Sequence, residues 1–230
     1  MTSAQSREDA LRQEIVEIGR RIYDRFFVAA NDGNISARLD EALVLITPTG
    51  VSKGFMKPDD IIKVDLAGNV LSSPAGLRPS SETPMHLAVY AARPDVGAAV
   101  HAHPPAATGF SIAGIELDLP LLPEVTLTVG KVPLVPYGTP AGVELQNMVA
   151  PYLKDYDAFL LANHGTLNLG ETLTKAYFGL ESIELYSRIR LVARLLGNEN
   201  QLSPTDVGKL MDLRAKMGLK GRNPLADASR

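Results

Sequence analysis

The sequence predicts an α/β fold in which helices and strands are mixed within one domain. Apolar residues recur at helical spacing in several long segments, whereas Val96–Val100 and Ala158–Ala162 are short apolar runs typical of buried strands. The 230 residues, 45% of them hydrophobic, are enough for one large core. No internal repeat, low-complexity tract or change of composition marks a linker, so we expect a single domain over residues 1–230.

The first half of the chain is predicted to contain two helices and two hairpins. A helix is expected from Glu8 to about Val28, because apolar residues recur there three and four apart, and the turn-forming segment Ala29–Asn34 ends it. Turns at Asp40–Glu41 and Gly68–Asn69 predict two hairpins. A second helix is expected, with Pro84 near its N-terminus and Pro94 just beyond its end. The predicted bounds are Ile35–Arg38 and Leu43–Thr47, Ile61–Asp65 and Val70–Ser72 for the hairpins, and Ser81–Arg93 for the second helix.

The second half is predicted to alternate strands and helices around a proline-rich passage, Leu119–Tyr137. Buried strands are expected to end at His101 and at Ala162, and prolines are expected to open three of the helices. The tail after Gly218 is polar, and we expect it to be frayed or packed on another subunit. The predicted helices are Ala106–Ile112, Pro140–Leu153, Thr172–Leu196 and Ser203 to about Met217.

Composition argues against several classes of protein. The net charge of −3 and the lack of a Lys/Arg cluster argue against a nucleic-acid partner. No cysteine occurs, which makes a reducing cytosol the simplest compartment. The N-terminal residues lack the apolar core of a signal peptide, and no apolar run reaches the length of a membrane span. The expectation is a cytoplasmic protein with neither a nucleic-acid nor a membrane partner.

Three of the four histidines indicate a metal site. His101 and His103 are two residues apart, so their side chains share one face of an extended strand. His164 follows the second buried strand, and ligands gather at the carboxyl ends of strands in α/β sheets. Three imidazoles without a thiolate predict an open, catalytic site, because structural zinc usually takes four protein ligands. The alternative is that they are unrelated polar positions.

Three segments are candidates for binding an anion, namely Gly33–Ser36, Ile46–Gly50 and Pro79–Pro84, and Ser80-Ser81 is the best single candidate for phosphate. Each places backbone N–H groups, hydroxyls or an amide at a strand end or a helix start. The alternative for each segment taken singly is ordinary turn and capping chemistry. Since the sequence has no nucleotide-binding glycine motif, we do not expect the anion to be a nucleotide.

Glu82 is the candidate catalytic residue. Its ordinary role in a first helical turn would be to complement the helix dipole, worth about 0.3–1 kcal/mol. Its sharper role is that of a general base on a C–H bond beside a carbonyl that a divalent ion polarises. His86 lies four residues further along the same helix face, and we interpret it as structural or as supporting the metal ligands.

Five short motifs together resemble the class II aldolase/adducin family, over about Arg12 to Leu196. The resemblance implies a three-layer α/β/α domain with a central, largely antiparallel sheet; the predicted C-terminal helix and tail over 203–230 lie beyond the resembling span. It also implies a homotetramer with sites at subunit interfaces. The motifs are Gly33-Asn34, Thr49-Gly50, Ser80-Ser81-Glu82, His101-Ala102-His103-Pro104 and Asn163-His164-Gly165.

By this resemblance, His101, His103 and His164 would bind zinc or another first-row ion, and Glu82 would complete the resting site before acting as the base. A small phosphorylated sugar would be the substrate. The implied reaction is reversible cleavage of a ketose 1-phosphate, similar to L-fuculose 1-phosphate, to dihydroxyacetone phosphate and an aldehyde through an enediolate held on the ion. A tyrosine, with Tyr137 as one candidate, would serve the aldehyde oxygen. Residues implied around the phosphate are Gly33, Asn34, Thr49, Gly50, Ser80 and Ser81.

The same family contains other activities, which the sequence leaves open. Methylthioribulose-phosphate dehydratases and decarboxylases of oxo or phenolic acids share the metal triad. Ribulose-phosphate 4-epimerases usually have aspartate at the position of Glu82 and a further histidine near the C-terminus, which this chain lacks. A non-catalytic module like the adducin head domain has no reason to keep metal ligands. Aldol cleavage is therefore the leading prediction, with a dehydratase or decarboxylase as the alternative.

Overall fold

The structure, a computed structural model, describes residues 3–227. The end of the predicted tail, residues 228–230, lies outside the described residues. Within residues 3–227 the chain forms eight strands and eight α-helices. The strands are β1 (Asn34–Arg38), β2 (Leu43–Ile46), β3 (Ile62–Asp65), β4 (Val70–Ser72), β5 (Ala98–Ala102), β6 (Leu134–Val135), β7 (Ala158–Leu161) and β8 (Gly165–Gly170). The helices are α1 (Ser3–Asp24), α2 (Thr83–Ala92), α3 (Pro105–Ile112), α4 (Pro123–Thr128), α5 (Val143–Val149), α6 (Leu173–Leu195), α7 (Pro204–Lys216) and α8 (Pro224–Asp227).

The strands form one sheet in the order β4-β3-β2-β1-β5-β8-β7-β6. Every neighbouring pair is antiparallel except β6 and β7. Because β8 runs against both β5 and β7, these two strands run in the same direction and end at the same edge of the sheet. The first residue of β1 lies at that edge too, since Asn34 pairs with His101.

Alternate residues of the strands face two separate layers of helices. Ile35 and Ala37 of β1 belong to the core that α1 and α6 cover, whereas Phe159 and Leu161 of β7 belong to the core that α2 and α5 cover. Helix α3 packs against α6 and β7 on the first side, and α4, α7 and α8 form a further group. The expected three-layer α/β/α fold with a largely antiparallel sheet is confirmed. That the whole chain is a single domain stays a prediction.

Two strands and two helices went unpredicted. Strand β8 carries glycine at both of its ends, and glycine is a residue that sequence patterns associate with turns rather than with strands. Strand β6 and helix α4 lie within the proline-rich passage, where Pro123 stands in the first turn of α4 and is tolerated there. The tail also contains the short helix α8.

Several predicted helix bounds were wrong. The first helix ends at Asp24 rather than Val28, because Phe26 adopts a left-handed φ of 57° and Phe27 N–H donates to the carbonyl of Ile22. Helix α5 is shorter than Pro140–Leu153 and continues as a 3₁₀ turn over Ala150–Tyr152. Among residues 3–227, no helix is both long enough and apolar enough to cross a membrane.

Candidate metal centre

The structure brings three imidazoles together at the edge where β5 and β7 end. His101 lies within β5, His103 just after it, and His164 in the turn between β7 and β8. The Nε2 atoms of His101 and His103 are 3.1 Å apart, and the three donor nitrogens lie within 4.8 Å of one another. His101 is fully buried, whereas His103 and His164 are partly exposed. The trio therefore opens toward solvent on the side of His103 and His164.

The surroundings keep two of these rings neutral and orient them. Burial, reinforced by the neighbouring imidazoles, holds the pKa of His101 well below its usual value. Burial likewise lowers the pKa of His103, with His164 the next cause. His101 Nδ1 donates to the carbonyl of Thr166 at 2.8 Å, which leaves Nε2 unprotonated and directed into the site. Neutral imidazole is the form that binds a metal ion.

Two glycines allow the backbone segments to meet at the trio. A Cβ on Gly165 would lie 2.5 Å from the carbonyl oxygen of Ala102 and 2.5 Å from Cδ2 of His103. A Cβ on Gly33 would lie 2.9 Å from the carbonyl oxygen of His101, and Gly33 also has a left-handed φ of 72°. We call the sheet edge that carries His101, His103 and His164 the metal edge. Close packing there requires glycine at both positions. Gly33, a predicted phosphate contact, has this clear structural role.

Glu82 lies against the imidazoles. It is the N-cap residue of α2, one position before the helix rather than inside its first turn, and its side chain is 8% exposed. Its Oε2 atom lies 3.1 Å from His101 Nε2, and its Oε1 atom lies 3.3 Å from His164 Nε2. Asn34 Nδ2 donates to Oε2 at 2.7 Å. The carboxylate thus faces the same space as the ring nitrogens.

This donor set fits a divalent cation. Among the described residues, Glu82 Oε1 and His164 Nδ1 are buried without a hydrogen-bond partner, which is costly unless a ligand satisfies them. Three imidazole nitrogens with a carboxylate alongside match the ligands that Zn²⁺ and other first-row ions prefer. The three donor atoms lie close enough to hold one metal ion. The ligand roles of the individual histidines stay predictions.

The predicted anion-binding segments lie side by side. Thr49 N–H donates to the carbonyl of Arg78, and Ser80 N–H donates to the carbonyl of Thr47, so the 47–50 and 78–81 segments are held together. Thr49 is half-buried, Gly50 and Ser81 are exposed, and Ser80 is buried. Ser80 Oγ accepts from the backbone N–H of Glu82 at 3.3 Å. Whether these groups bind phosphate stays a prediction.

The Class II Aldolase and Adducin N-terminal domain family matches residues 13–191. That span is more than three quarters of the chain and contains every residue of the site described above. The chain belongs to the class II aldolase and adducin family.

Relatives of this family member carry two different activities in their names. An L-fuculose phosphate aldolase of Methanococcus maripaludis is 36% identical over 179 residues, which cover 78% of this chain and 95% of that protein. A 3-oxo-tetronate 4-phosphate decarboxylase of Pectobacterium atrosepticum is also 36% identical, over 78% of this chain and 83% of its own. A solved L-fuculose 1-phosphate aldolase is 28% identical with a TM-score of 0.81, over 91% of this chain and 96% of that structure.

Sequence reasoning missed two residues beside the site. Asp32 Oδ2 lies 3.8 Å from His103 Nδ1. Lys53 is 1% exposed, and its Nζ donates to the carbonyls of Asn31 and Val51, which joins the segments that precede Gly33 and follow Gly50. Burial lowers the pKa of Lys53 to about 8. Nothing in the local sequence distinguishes Lys53 from an exposed lysine. Tyr137, the candidate for the aldehyde oxygen, is exposed.

Proposed function

We propose that this protein is a metal-dependent aldolase that reversibly cleaves a ketose 1-phosphate, similar to L-fuculose 1-phosphate, to dihydroxyacetone phosphate and an aldehyde. The observation that carries the proposal is the buried Glu82 carboxylate lying 3.1 Å and 3.3 Å from two members of a three-imidazole cluster. The 36% identity to an L-fuculose phosphate aldolase supports it.

His101, His103 and His164 would hold the ion, which we propose to be zinc. When bound, a divalent cation supplies a Lewis acid that polarises a substrate carbonyl. Glu82 would transfer the proton to and from C3 of the substrate. In cleavage the C4 hydroxyl gives its proton to solvent as it becomes the aldehyde oxygen, the C3–C4 electron pair stays on C3, and the Glu82 carboxyl, protonated from solvent, delivers a proton to that carbon. In the synthetic direction the Glu82 carboxylate removes the C3 proton and the aldehyde oxygen takes one up.

The substrate phosphate would bind between the two joined segments. Backbone N–H groups at Gly50 and Ser81, with the hydroxyls of Thr49, Ser80 and Ser81, supply donors without a fixed positive charge. Gly33 and Asn34 would also lie beside the bound phosphate. The exposure of Gly50 and Ser81 leaves these groups within reach of an incoming anion.

A decarboxylase is the second candidate, because one relative at 36% identity bears the name 3-oxo-tetronate 4-phosphate decarboxylase. Loss of carbon dioxide beside a carbonyl also leaves an electron pair on carbon that an acid must protonate. Glu82 would perform the same proton transfer in both reactions, so the site itself fits either substrate class.

A substrate screen separates the two candidates. Metal-loaded protein would be incubated with phosphorylated ketoses, with dihydroxyacetone phosphate plus short aldehydes, and with phosphorylated 3-oxo acids. Formation of ketose phosphate or of dihydroxyacetone phosphate supports the aldolase, and release of carbon dioxide supports the decarboxylase. Glu82→Gln is the control for background metal catalysis. Absence of both products across the panel would reject the proposal.

We also propose a cytoplasmic homotetramer with sites at the subunit interfaces. Support comes from large apolar side chains exposed along α6 of the single chain, among them Leu185, Ile189 and Val192. Light scattering of the purified protein would test this, with a mass near four times 24.7 kDa expected. A monomeric mass at micromolar concentration would contradict it.

A further inference from the structure

Behind Glu82, four buried side chains form one continuous chain of hydrogen bonds. Tyr90 Oη lies 2.7 Å from Ser36 Oγ, which lies 2.6 Å from His86 Nδ1. His86 Nε2 lies 2.5 Å from Asn34 Oδ1, and Asn34 Nδ2 lies 2.7 Å from Glu82 Oε2. None of the four supporting residues is more than 3% exposed. His86 is the only histidine of the sequence outside the metal-edge trio.

The chain has one consistent donor direction. Since a carboxylate can only accept, Asn34 must present its NH₂ group to Glu82 and its carbonyl oxygen to His86. His86 must then donate from Nε2. Burial lowers the pKa of His86 to about 4, so near neutral pH the ring carries a single proton and Nδ1 accepts from Ser36 Oγ.

The far end of the chain enforces the same direction. Burial raises the pKa of Tyr90, which therefore keeps its hydroxyl proton. The single hydroxyl proton of Ser36 goes to His86 Nδ1, so Ser36 Oγ can only accept from Tyr90 Oη. Every member of the chain is satisfied in this single arrangement, which makes a flip of the Asn34 amide costly.

We propose that His86 acts through Asn34 as a positioning residue: it holds Oε2 of Glu82 as a fixed acceptor and leaves Oε1 as the atom that exchanges a proton with substrate. Oε1 is the carboxylate oxygen that is buried without a hydrogen-bond partner among the described residues. The catalytic part of this inference rests on the proposed function. The hydrogen-bond directions do not.

Removing the His86 N–H breaks this arrangement at a specific point. Asn34 Oδ1 would lose its donor, and the amide could rotate to direct oxygen instead of nitrogen at Glu82. The carboxylate would then lose its anchor and sample orientations in which Oε1 no longer faces substrate. A residue that only fills space would not produce this effect, because the volume could be kept while the N–H group is lost.

The first test needs no substrate. Selective ¹⁵N labelling of histidine would report the tautomer of His86 near pH 7 in metal-free and metal-loaded protein, with His86→Gln identifying its signals. The expected result is protonated Nε2 and unprotonated Nδ1 in both forms. An unprotonated Nε2 would overturn the proposal, because His86 could not then donate to Asn34.

The second test compares His86→Leu with His86→Gln, whose amide can still donate to Asn34. Loss of such a supporting hydrogen bond lowers activity by about 10–100-fold, and we expect this in kcat with little change in KM for His86→Leu. His86→Gln should recover most of kcat. Thermal midpoints of the two variants check that both are folded at the assay temperature.

Two results would contradict the positioning role. One is wild-type kcat in folded His86→Leu, and the other is an equal loss in both variants. Crystal structures of the two variants decide the question independently of turnover: a rotated Glu82 carboxylate is expected only in His86→Leu, and an unchanged carboxylate there would overturn the proposal. If the wild type turned over no substrate, the proposed function would be rejected. The tautomer of His86 and the crystal structures of the variants would still test the positioning role.

Discussion

The two ends of α2 carry oppositely charged, buried side chains whose hydrogen bonding differs sharply. Arg93, the C-cap residue, contacts both oxygens of Asp95 at 2.8 Å, Asp157 at 2.8 Å and the carbonyl of Leu153 at 2.8 Å. Glu82, the N-cap residue, accepts one side-chain hydrogen bond at Oε2, and its Oε1 atom has none among the described residues.

The contrast separates a structural charge from one that we propose to be functional. Arg93 has carboxylate and carbonyl partners at all three guanidinium nitrogens, so it ties the end of α2 to the segment that precedes β7. Glu82 is held from one side and directed into a cluster of imidazoles from the other. An unsatisfied buried carboxylate is tolerated where a ligand completes it. Sequence position alone does not distinguish the two residues.

The largest expected effect is at the metal edge. His103→Ala removes one of three donors, and we expect loss of bound metal and a fall in kcat of about 10²–10⁴-fold, since a metal ion supplies several kcal/mol of charge stabilisation. Elemental analysis and turnover of the purified variant check this. Full metal content together with full turnover would show that His103 is not a metal ligand.

The next effect is confined to Glu82. Glu82→Gln keeps the shape of the side chain but cannot take up a proton, so kcat should fall by about 10²–10⁴-fold while the metal remains bound. Exchange of the C3 protons of dihydroxyacetone phosphate with deuterated water, followed by NMR, measures the proton transfer directly. Exchange at the wild-type rate would assign the base to another residue.

A smaller effect is expected at His86, in the pH dependence of the free energy of unfolding. The pKa of His86 is about 4 in the folded protein, whereas its ordinary value is 6.5. The unfolded chain therefore binds more protons than the folded protein as the pH falls below 6.5. The free energy of unfolding of metal-free wild type should therefore fall by about 3 kcal/mol more than that of His86→Gln between pH 7 and pH 4. Tyr90 and Ser36 stay uncharged over this range, and both proteins share Glu82. Parallel pH curves in urea unfolding would contradict the neutral, buried His86.

The smallest effect is at the opposite end of α2. Arg93→Met removes a charge whose partners Asp95 and Asp157 are partly exposed and can turn to water, so we expect a loss of about 2–3 kcal/mol in the free energy of unfolding. Metal content and kcat of the folded protein should stay unchanged. A loss of metal without a loss of stability would reverse the comparison between the two ends.

The sequence predicts the three histidines of the metal edge better than it predicts the hydrogen bonds behind Glu82. His101, His103 and His164 stand out because histidine is scarce and each follows or ends an apolar strand. Their convergence also depends on β8, which was not predicted yet lies between β5 and β7. The bonds from His86 to Asn34 and Ser36 could not be predicted, because they depend on the placement of α2 against β1.

One measurement tests the central claim most directly. Crystals of protein loaded with zinc would be measured by anomalous diffraction at the metal edge, with crystals of His103→Ala grown alongside. We expect one peak per chain, about 2.0–2.1 Å from one ring nitrogen each of His101, His103 and His164, and no peak in the variant. A zinc-loaded wild type with its metal bound elsewhere, or with those three rings turned apart, would contradict the account.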